Sequence, residues 1–318
     1  MKLEFARGRD AERPGEIPAH GLIDVAWRVW NEISDDRITL IAAGVTYYAL
    51  LAIFPALSMF VSVYGLLADP TSIVEHARAV TSFLPADTVG IFIDQLQALA
   101  SQKASTLSFG VAASLIFALW SAHNGILSIF SALNAVYGEK EQRGILRLNG
   151  MAMLFTLGTI LAAIVVIFAI AAVPIILRTI WLGSLTATLT LIGRWPLLAI
   201  LAILGSAMLY RFGPSREPAQ FKWLSWGSVF TGLGWCAVSA GYSLYLDHFA
   251  NYQATYGTLG ALIGFMVWVW LSVIVLLVGA EINAELEHQT EIDTTTGAPL
   301  PMGQRGAYVA DTVGEAIM

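Results

Sequence analysis

The chain has 318 residues, of which 57 % are apolar and only 13 % charged, with a formal net charge of −6. Soluble domains carry roughly 25 % charged residues, so the composition excludes an ordinary soluble enzyme and a disordered chain, and makes lipid the expected solvent. No basic face of the kind that binds nucleic acid is present. The single cysteine, Cys236, excludes an intramolecular disulfide.

Residues 1–19 are charged, contain Pro14 and Pro18, and are expected to form a flexible N-terminus without a secretory signal. Over 20–34, Leu22, Ile23, Ala26, Trp27, Trp30 and Ile33 recur at helical spacing, with Asp24, Arg28 and Glu32 elsewhere on the wheel. This pattern predicts an amphipathic helix in the headgroup layer, or one packed on the adjacent loops.

Charges then become scarce enough to mark span ends. A bilayer core of about 30 Å needs about 20 apolar helical residues. The charge-free stretches predict six spans, near 38–67, 107–133, 149–177, 187–210, 223–246 and 257–281. The fourth is short between Arg194 and Arg211, so Arg194 is expected to snorkel. The loop 68–106 carries two apolar stripes separated by Pro85 and predicts two short amphipathic helices capping the outer mouth. The tail 289–318 has a threonine run at Thr294–Thr296 and no periodicity, and is expected to be disordered. The fold class is thus an all-α polytopic membrane protein of six transmembrane helices, with amphipathic helices at the N-terminus and in the first external loop.

Lysine and arginine fix an orientation. Thirteen lie on the side holding both termini and the loops after spans two and four, against four (Arg78, Lys103, Arg178 and Arg194) on the other. Both termini are therefore expected in the cytoplasm.

Polar groups inside spans are costly unless they face a partner or water, so each is a candidate site residue. Tyr47 and Tyr48 lie about 15 Å into span one by helical rise, and at least one hydroxyl is expected to find a partner inside the bundle. Pro55 removes a backbone donor and predicts a kink. Span two carries His123, Asn124 and Asn134, with His123 either bridging helices or titrating. Tyr256, Gly257, Gly260 and Gly264 open span six, where small residues allow close helix contact. Glu281 and Glu285 share a face at its end, with Asn283 between them in sequence, and need a cation from elsewhere, with Arg211 and Arg147 as candidates. These residues predict a cavity open to the cytoplasm and closed outside, in which Tyr47, His123 and Glu281 share a wall. The histidines show no metal-ligand spacing, and no phosphate loop appears, so no cofactor or metal and no enzymatic activity is expected.

Four blocks resemble the YihY/virulence factor BrkB family of bacterial inner-membrane proteins, a family often labelled ribonuclease BN. They are AAGVTYYALLAIFPAL, LWSAHNGILSIFSALNAVYG, RFGPSREPAQFKWLSWGSVF and YGTLGALIGFMVWVWLSVIVLLVGAEINAELE, in order between about residues 27 and 288. The resemblance implies six spans, an inner-membrane location, and a role in envelope integrity with export of a lipid or another envelope component. The matching positions are Tyr47, Pro55, Asn134, Arg211, Pro214, Tyr256, Gly257, Glu281 and Asn283, whereas His123–Asn124 stands where the family varies. The ribonuclease label finds no chemical support in the residues. Transport is therefore the first functional expectation, with membrane lipids and envelope-assembly proteins as partners. A non-transporting scaffold that binds such proteins through the 68–106 cap is the second.

Overall fold

The computed structural model describes residues 7–67, 104–179, 184–248 and 259–317; side chains are described for 7–53, 113, 115–163, 196–246, 259–260 and 262–317. A 3-10 turn, Pro14–Glu16, precedes α1 (Ala19–Asp35) and α2 (Ile38–Leu67). There follow α3 (Ala104–Val136), α4 (Ile145–Thr179), α5 (Ser184–Phe212), α6 (Phe221–His248), α7 (Gly260–Glu287) and the short α8 (Tyr308–Asp311). No strand occurs among the described residues; an isolated bridge joins Ala219 to Thr295.

Among the described residues, four segments are long and apolar enough to cross a membrane: Leu115–Val136, Ile145–Ala163, Phe221–Leu246 and Leu262–Glu287. A fifth arises if α1 and the first part of α2, bent by 59°, form one broken span. The expected fourth span is represented by Pro196–Phe212, an apolar helix shorter than a crossing. The 68–103 part of the expected cap, Tyr256 and Gly257, and the side chains of Arg194 and Pro55 lie outside the described residues. Leu146, Leu154 and Leu161 on α4 and Leu204 on α5 are largely exposed, a distribution that water disfavours and hydrocarbon does not.

The ends of the elements follow from local chemistry. The bend between α1 and α2 falls at Arg37, which adopts φ 52°, a left-handed conformation that breaks the helix and redirects the chain within one residue. Helix α3 stops at Gly138, with φ 63°. There the Gly138 and Glu139 N–H groups donate back to the carbonyls of Ala135 and Asn134, satisfying orphan carbonyls of the last turn. A Cβ on Gly138 would also lie 2.6 Å from the Tyr308 ring.

Helix α7 is the centre of the bundle and packs against α1, α2, α3, α6 and α8. Its buried residues Val273, Leu277, Ala280 and Ala284 meet Ile38, Ala42 and Val45 of α2 and Leu133 and Val136 of α3. Close approach to α6 comes from Gly227 and Gly279. A Cβ on Gly279 would sit 2.0 Å from Thr231 Oγ1 and 2.7 Å from the Gly227 carbonyl. The expected contact at Gly264 is looser, its nearest neighbour being the Tyr242 hydroxyl at 3.6 Å. Asn283 Oδ1 accepts the Gly227 N–H at 2.8 Å. The Tyr210 hydroxyl on α5 donates to the Leu276 carbonyl and shares a 2.6 Å bond with Thr231 Oγ1. Three helices are thus pinned where two of them have no side chain between their backbones.

Both termini and the loops 137–144 and 213–220 collect at one end. The expectation of loose termini is corrected. Residues 7–18 and 289–317 are packed: Ala11, Ile17, Gln289, Thr290, Thr294, Arg305 and Val309 are all buried. The tail orders without helical periodicity because its backbone is held by side chains and by other loops. Glu291 N–H donates to the Arg9 carbonyl, Gln220 N–H to Thr294, and Glu217 N–H to Gly306.

Candidate functional site

The polar residues of the spans do not share one chamber. Tyr47 is 55 % exposed and faces outward, with its ring edge-on to Tyr48. His123 Nε2 lies 2.9 Å from Asn149 Oδ1 and joins α3 to α4. Asn124 turns back to the Trp120 carbonyl of its own helix. Glu281 is fully buried and far along the chain, on α7. Neither of the two cavities described below is lined by Tyr47, His123 or Glu281. Helical spacing gives depth in the membrane, but which wall a side chain faces depends on which helix lies beside it.

What the fold does assemble is a buried polar layer at the end that carries both termini. Arg28 of α1 pairs with Glu285 of α7. It also donates to Gln289 Oε1 at 2.7 Å and to the Glu315 carbonyl at 2.8 Å. Arg7 holds Asp24 at 2.7 Å, and Arg9 donates to the carbonyls of Gln289 and Gly314. The charged stripe of α1 therefore turns inward, while Ile23, Trp27 and Trp30 are exposed. Arg216, in the α5–α6 loop, meets Glu287 at 2.6 Å with side-chain exposures of 1 % and 0 %. Glu287 also accepts from Thr294 Oγ1, and the Arg216 guanidinium lies 4.7 Å from the Tyr137 ring.

The cation partner of Glu285 is thus Arg28, not Arg211 or Arg147. Arg211 instead donates to the Ala219 carbonyl at 2.9 Å and stacks over Phe221. Glu281 is buried beside Asp36, at the α1–α2 break, with Glu32 and Glu285 close by. Sequence reasoning missed Arg216, Glu287, Gln289 and Thr294. Nothing in local spacing marks a pair 71 residues apart.

Asn134 ties the α3–α4 loop to the α5–α6 loop. Its Oδ1 accepts the Ser215 N–H at 2.7 Å, and its Nδ2 donates to Glu141 at 3.0 Å. Glu141 accepts two bonds from the Arg143 guanidinium, each 2.7 Å. The Arg143 fork, and then the Asn134 amide, hold the Glu141 carboxyl down at about 2 from an ordinary 4.5. A depressed carboxyl stabilises the fold above its unfolded value, and the contribution is lost as pH falls through the folded one. Thermal unfolding midpoints of the wild type and Glu141→Gln should therefore converge between pH 4.5 and 2, with the wild type higher above that window. A constant difference across the range would show that the carboxylate charge contributes nothing.

Two cavities are formed by the described residues. One, of about 810 Å³, is lined by the 137–143 and 212–218 loops, the start of α4, and residues 306–311. The other, of about 440 Å³, lies between α5, α6 and α7. Its walls are Leu198, Leu201, Gly205, Trp235, Trp268 and neighbouring apolar residues, with Ser206, Thr231 and Ser272 as the polar groups. Among the described residues no three His, Cys, Asp or Glu side chains gather as metal ligands.

Comparison with known proteins agrees with this architecture. The family described as Virulence factor BrkB matches residues 29–301. The putative ribonuclease-like protein YfkH of Bacillus subtilis (strain 168) is 30 % identical over 259 residues, covering 79 % of this chain and 90 % of the relative. A UPF0761 membrane protein of Vibrio atlanticus (strain LGP32) is 26 % identical over 280 residues, covering 86 % and 85 %. One from Cronobacter sakazakii (strain ATCC BAA-894) is 26 % identical over 274 residues, covering 82 % and 89 %. No solved structure matches. A family match over most of the chain, apolar helices long enough to cross a bilayer, and relatives named as membrane proteins lead to one statement: the chain is a multi-pass membrane protein and belongs to the virulence factor BrkB family.

Proposed function

We propose that the protein binds and moves a lipid-like envelope component across the bacterial inner membrane, as a six-span bundle with both termini in the cytoplasm. The orientation rests on the thirteen-to-four excess of Lys and Arg at the end that holds both termini. Six spans rather than five rest on two points: α5 extends over Ser184–Phe212, and an even number returns both termini to one side.

The observation that carries the transport reading is the cavity of about 440 Å³ between α5, α6 and α7. It sits among residues of the apolar helices, and three hydroxyls interrupt an otherwise hydrocarbon-like wall. An acyl chain fits that chemistry, and a polar solute does not. No cofactor or nucleotide domain is invoked, so movement is passive, driven by an ion gradient, or coupled through a partner. Glu281 is the buried carboxyl available for coupling to protons. The ribonuclease-like name belongs to the Bacillus relative.

Gly205 provides a test. It lines the cavity, and a Cβ there would meet no atom within 4 Å. Gly205→Leu projects a side chain into the space from a Cβ that meets no atom, narrowing the cavity, and leucine also favours the helix by up to about 1 kcal/mol. Reconstituted in liposomes with fluorescent lipids and small anions, with and without a proton gradient, the wild type should translocate lipid. Gly205→Leu should unfold no earlier, yet translocate about tenfold more slowly, a loss equivalent to about 1.4 kcal/mol. Lipid movement at the rate of protein-free liposomes would overturn the reading.

A further inference from the structure

The 810 Å³ cavity at the end holding both termini has chemistry of its own. Five cations line it (Lys140, Arg143, Arg147, Arg211 and Arg216) against three acids, Glu139, Glu217 and Asp311. Two cations are committed to the fold. Arg143 grips Glu141 and the carbonyls of Phe212 and Gly213, and Arg216 is paired with Glu287. Glu139 accepts the Tyr308 N–H, and Asp311 accepts those of Gly303, Arg305 and Gly306, bonds that orient these two carboxylates and leave their charge in place.

Lys140, Arg147 and Arg211 remain, with no carboxylate partner among the described residues. The depth is informative too. Arg147 is two residues into the candidate span Ile145–Ala163, and Arg211 is next to last in the apolar helix Pro196–Phe212. The cavity therefore opens at the level where hydrocarbon gives way to headgroups, beside the exposed Ile145 and Leu146.

Three cations with no carboxylate at ion-pair distance line a cavity of ligand size and leave donors for an anion. The planar guanidinium fork matches tetrahedral phosphate oxygens. We propose that this cavity binds a phosphate-bearing group, either a lipid headgroup or a free phosphate ester, through Lys140, Arg147 and Arg211. The site stands whether or not the protein moves lipid.

The test uses the full chain in maltoside micelles, which contain no phosphate. Phosphatidylglycerol and diacylglycerol with the same acyl chains are compared for retention by native mass spectrometry. Inorganic phosphate and glycerol 3-phosphate are titrated calorimetrically. Phosphatidylglycerol should be retained at least about tenfold better than diacylglycerol. Arg147→Gln with Arg211→Gln should abolish that preference, and Lys140→Gln, on an exposed loop position, should lower it without touching the core. Arg13→Gln, removing an exposed cation outside the cavity, should leave it unchanged. Saturable binding of glycerol 3-phosphate assigns the site to free phosphate esters, and binding of the lipid alone assigns it to headgroups. Equal retention of the two lipids with no binding of either soluble phosphate overturns the proposal. So does a loss on Arg13→Gln equal to that of the cavity variants. Phosphate binding without lipid translocation leaves the site standing and overturns only the transport reading.

Discussion

Arg28→Ala should lower the unfolding free energy by about 3–5 kcal/mol, because it leaves the buried carboxylate of Glu285 without its cation. The same side chain holds Gln289 and the Glu315 carbonyl, so the tail loses its anchor to α1 together with the charge pair. The expected signature is a fall in thermal midpoint in detergent accompanied by faster proteolysis within 289–317. The double variant Arg28→Met with Glu285→Leu should recover most of the midpoint, since an apolar pair of similar volume avoids the desolvation that two buried ions incur. It should not restore protease resistance, because the hydrogen bonds to the tail remain absent. A midpoint unchanged in the single variant would mean that the pair is solvated and contributes little.

Arg216→Ala should cost a similar amount, about 3–5 kcal/mol, by the same physics. Here the stranded group is Glu287, which is more deeply buried and keeps only the Thr294 hydroxyl. The two pairs fix different parts. Arg28 ties α1 and the tail to α7, whereas Arg216 ties the α5–α6 loop to the end of α7. Arg216→Ala should therefore raise hydrogen exchange in 213–220, including the Ser215 amide held by Asn134, while leaving α1 protected. Spread of the effect to α1 would show that the two pairs form one cooperative unit. Replacement of Arg216 by lysine should recover only part of the loss, because an ammonium lacks the flat face that lies over Tyr137.

The long helices were legible in the sequence because hydrocarbon imposes a simple demand. Every stretch from Arg147 to Arg178, or from Lys222 to Asp247, lacks charge, and a backbone in lipid must satisfy its own hydrogen bonds by forming helix. Gly138 and the end of α3 were also within reach of local reasoning, since a left-handed stop is a local property. The wheel of residues 20–34 separates charged from apolar positions, and in the fold Asp24 and Arg28 of its charged side pack inward. An amphipathic helix shows that it has two environments without showing which neighbour supplies each one. The partners of Arg28 lie more than 250 residues away, and no spacing rule reaches them. The tail was misread for the related reason that periodicity detects helices, whereas 289–317 is ordered by side chains such as Thr290 and Arg305 bonding to loop carbonyls.

By itself the sequence determined the solvent, the helical class, the approximate helix boundaries and the excess of cations at one end, because each depends on composition summed over a segment. The tertiary structure alone decided which polar groups meet. It separated Tyr47, His123 and Glu281, paired Glu285 with Arg28 and Glu287 with Arg216, and left Lys140, Arg147 and Arg211 around a cavity. Hydrophobic burial is nearly additive along the chain and tolerant of direction. Ion pairs and hydrogen bonds act over a few ångströms and in fixed orientations, so they are set only when helices distant in sequence come into register.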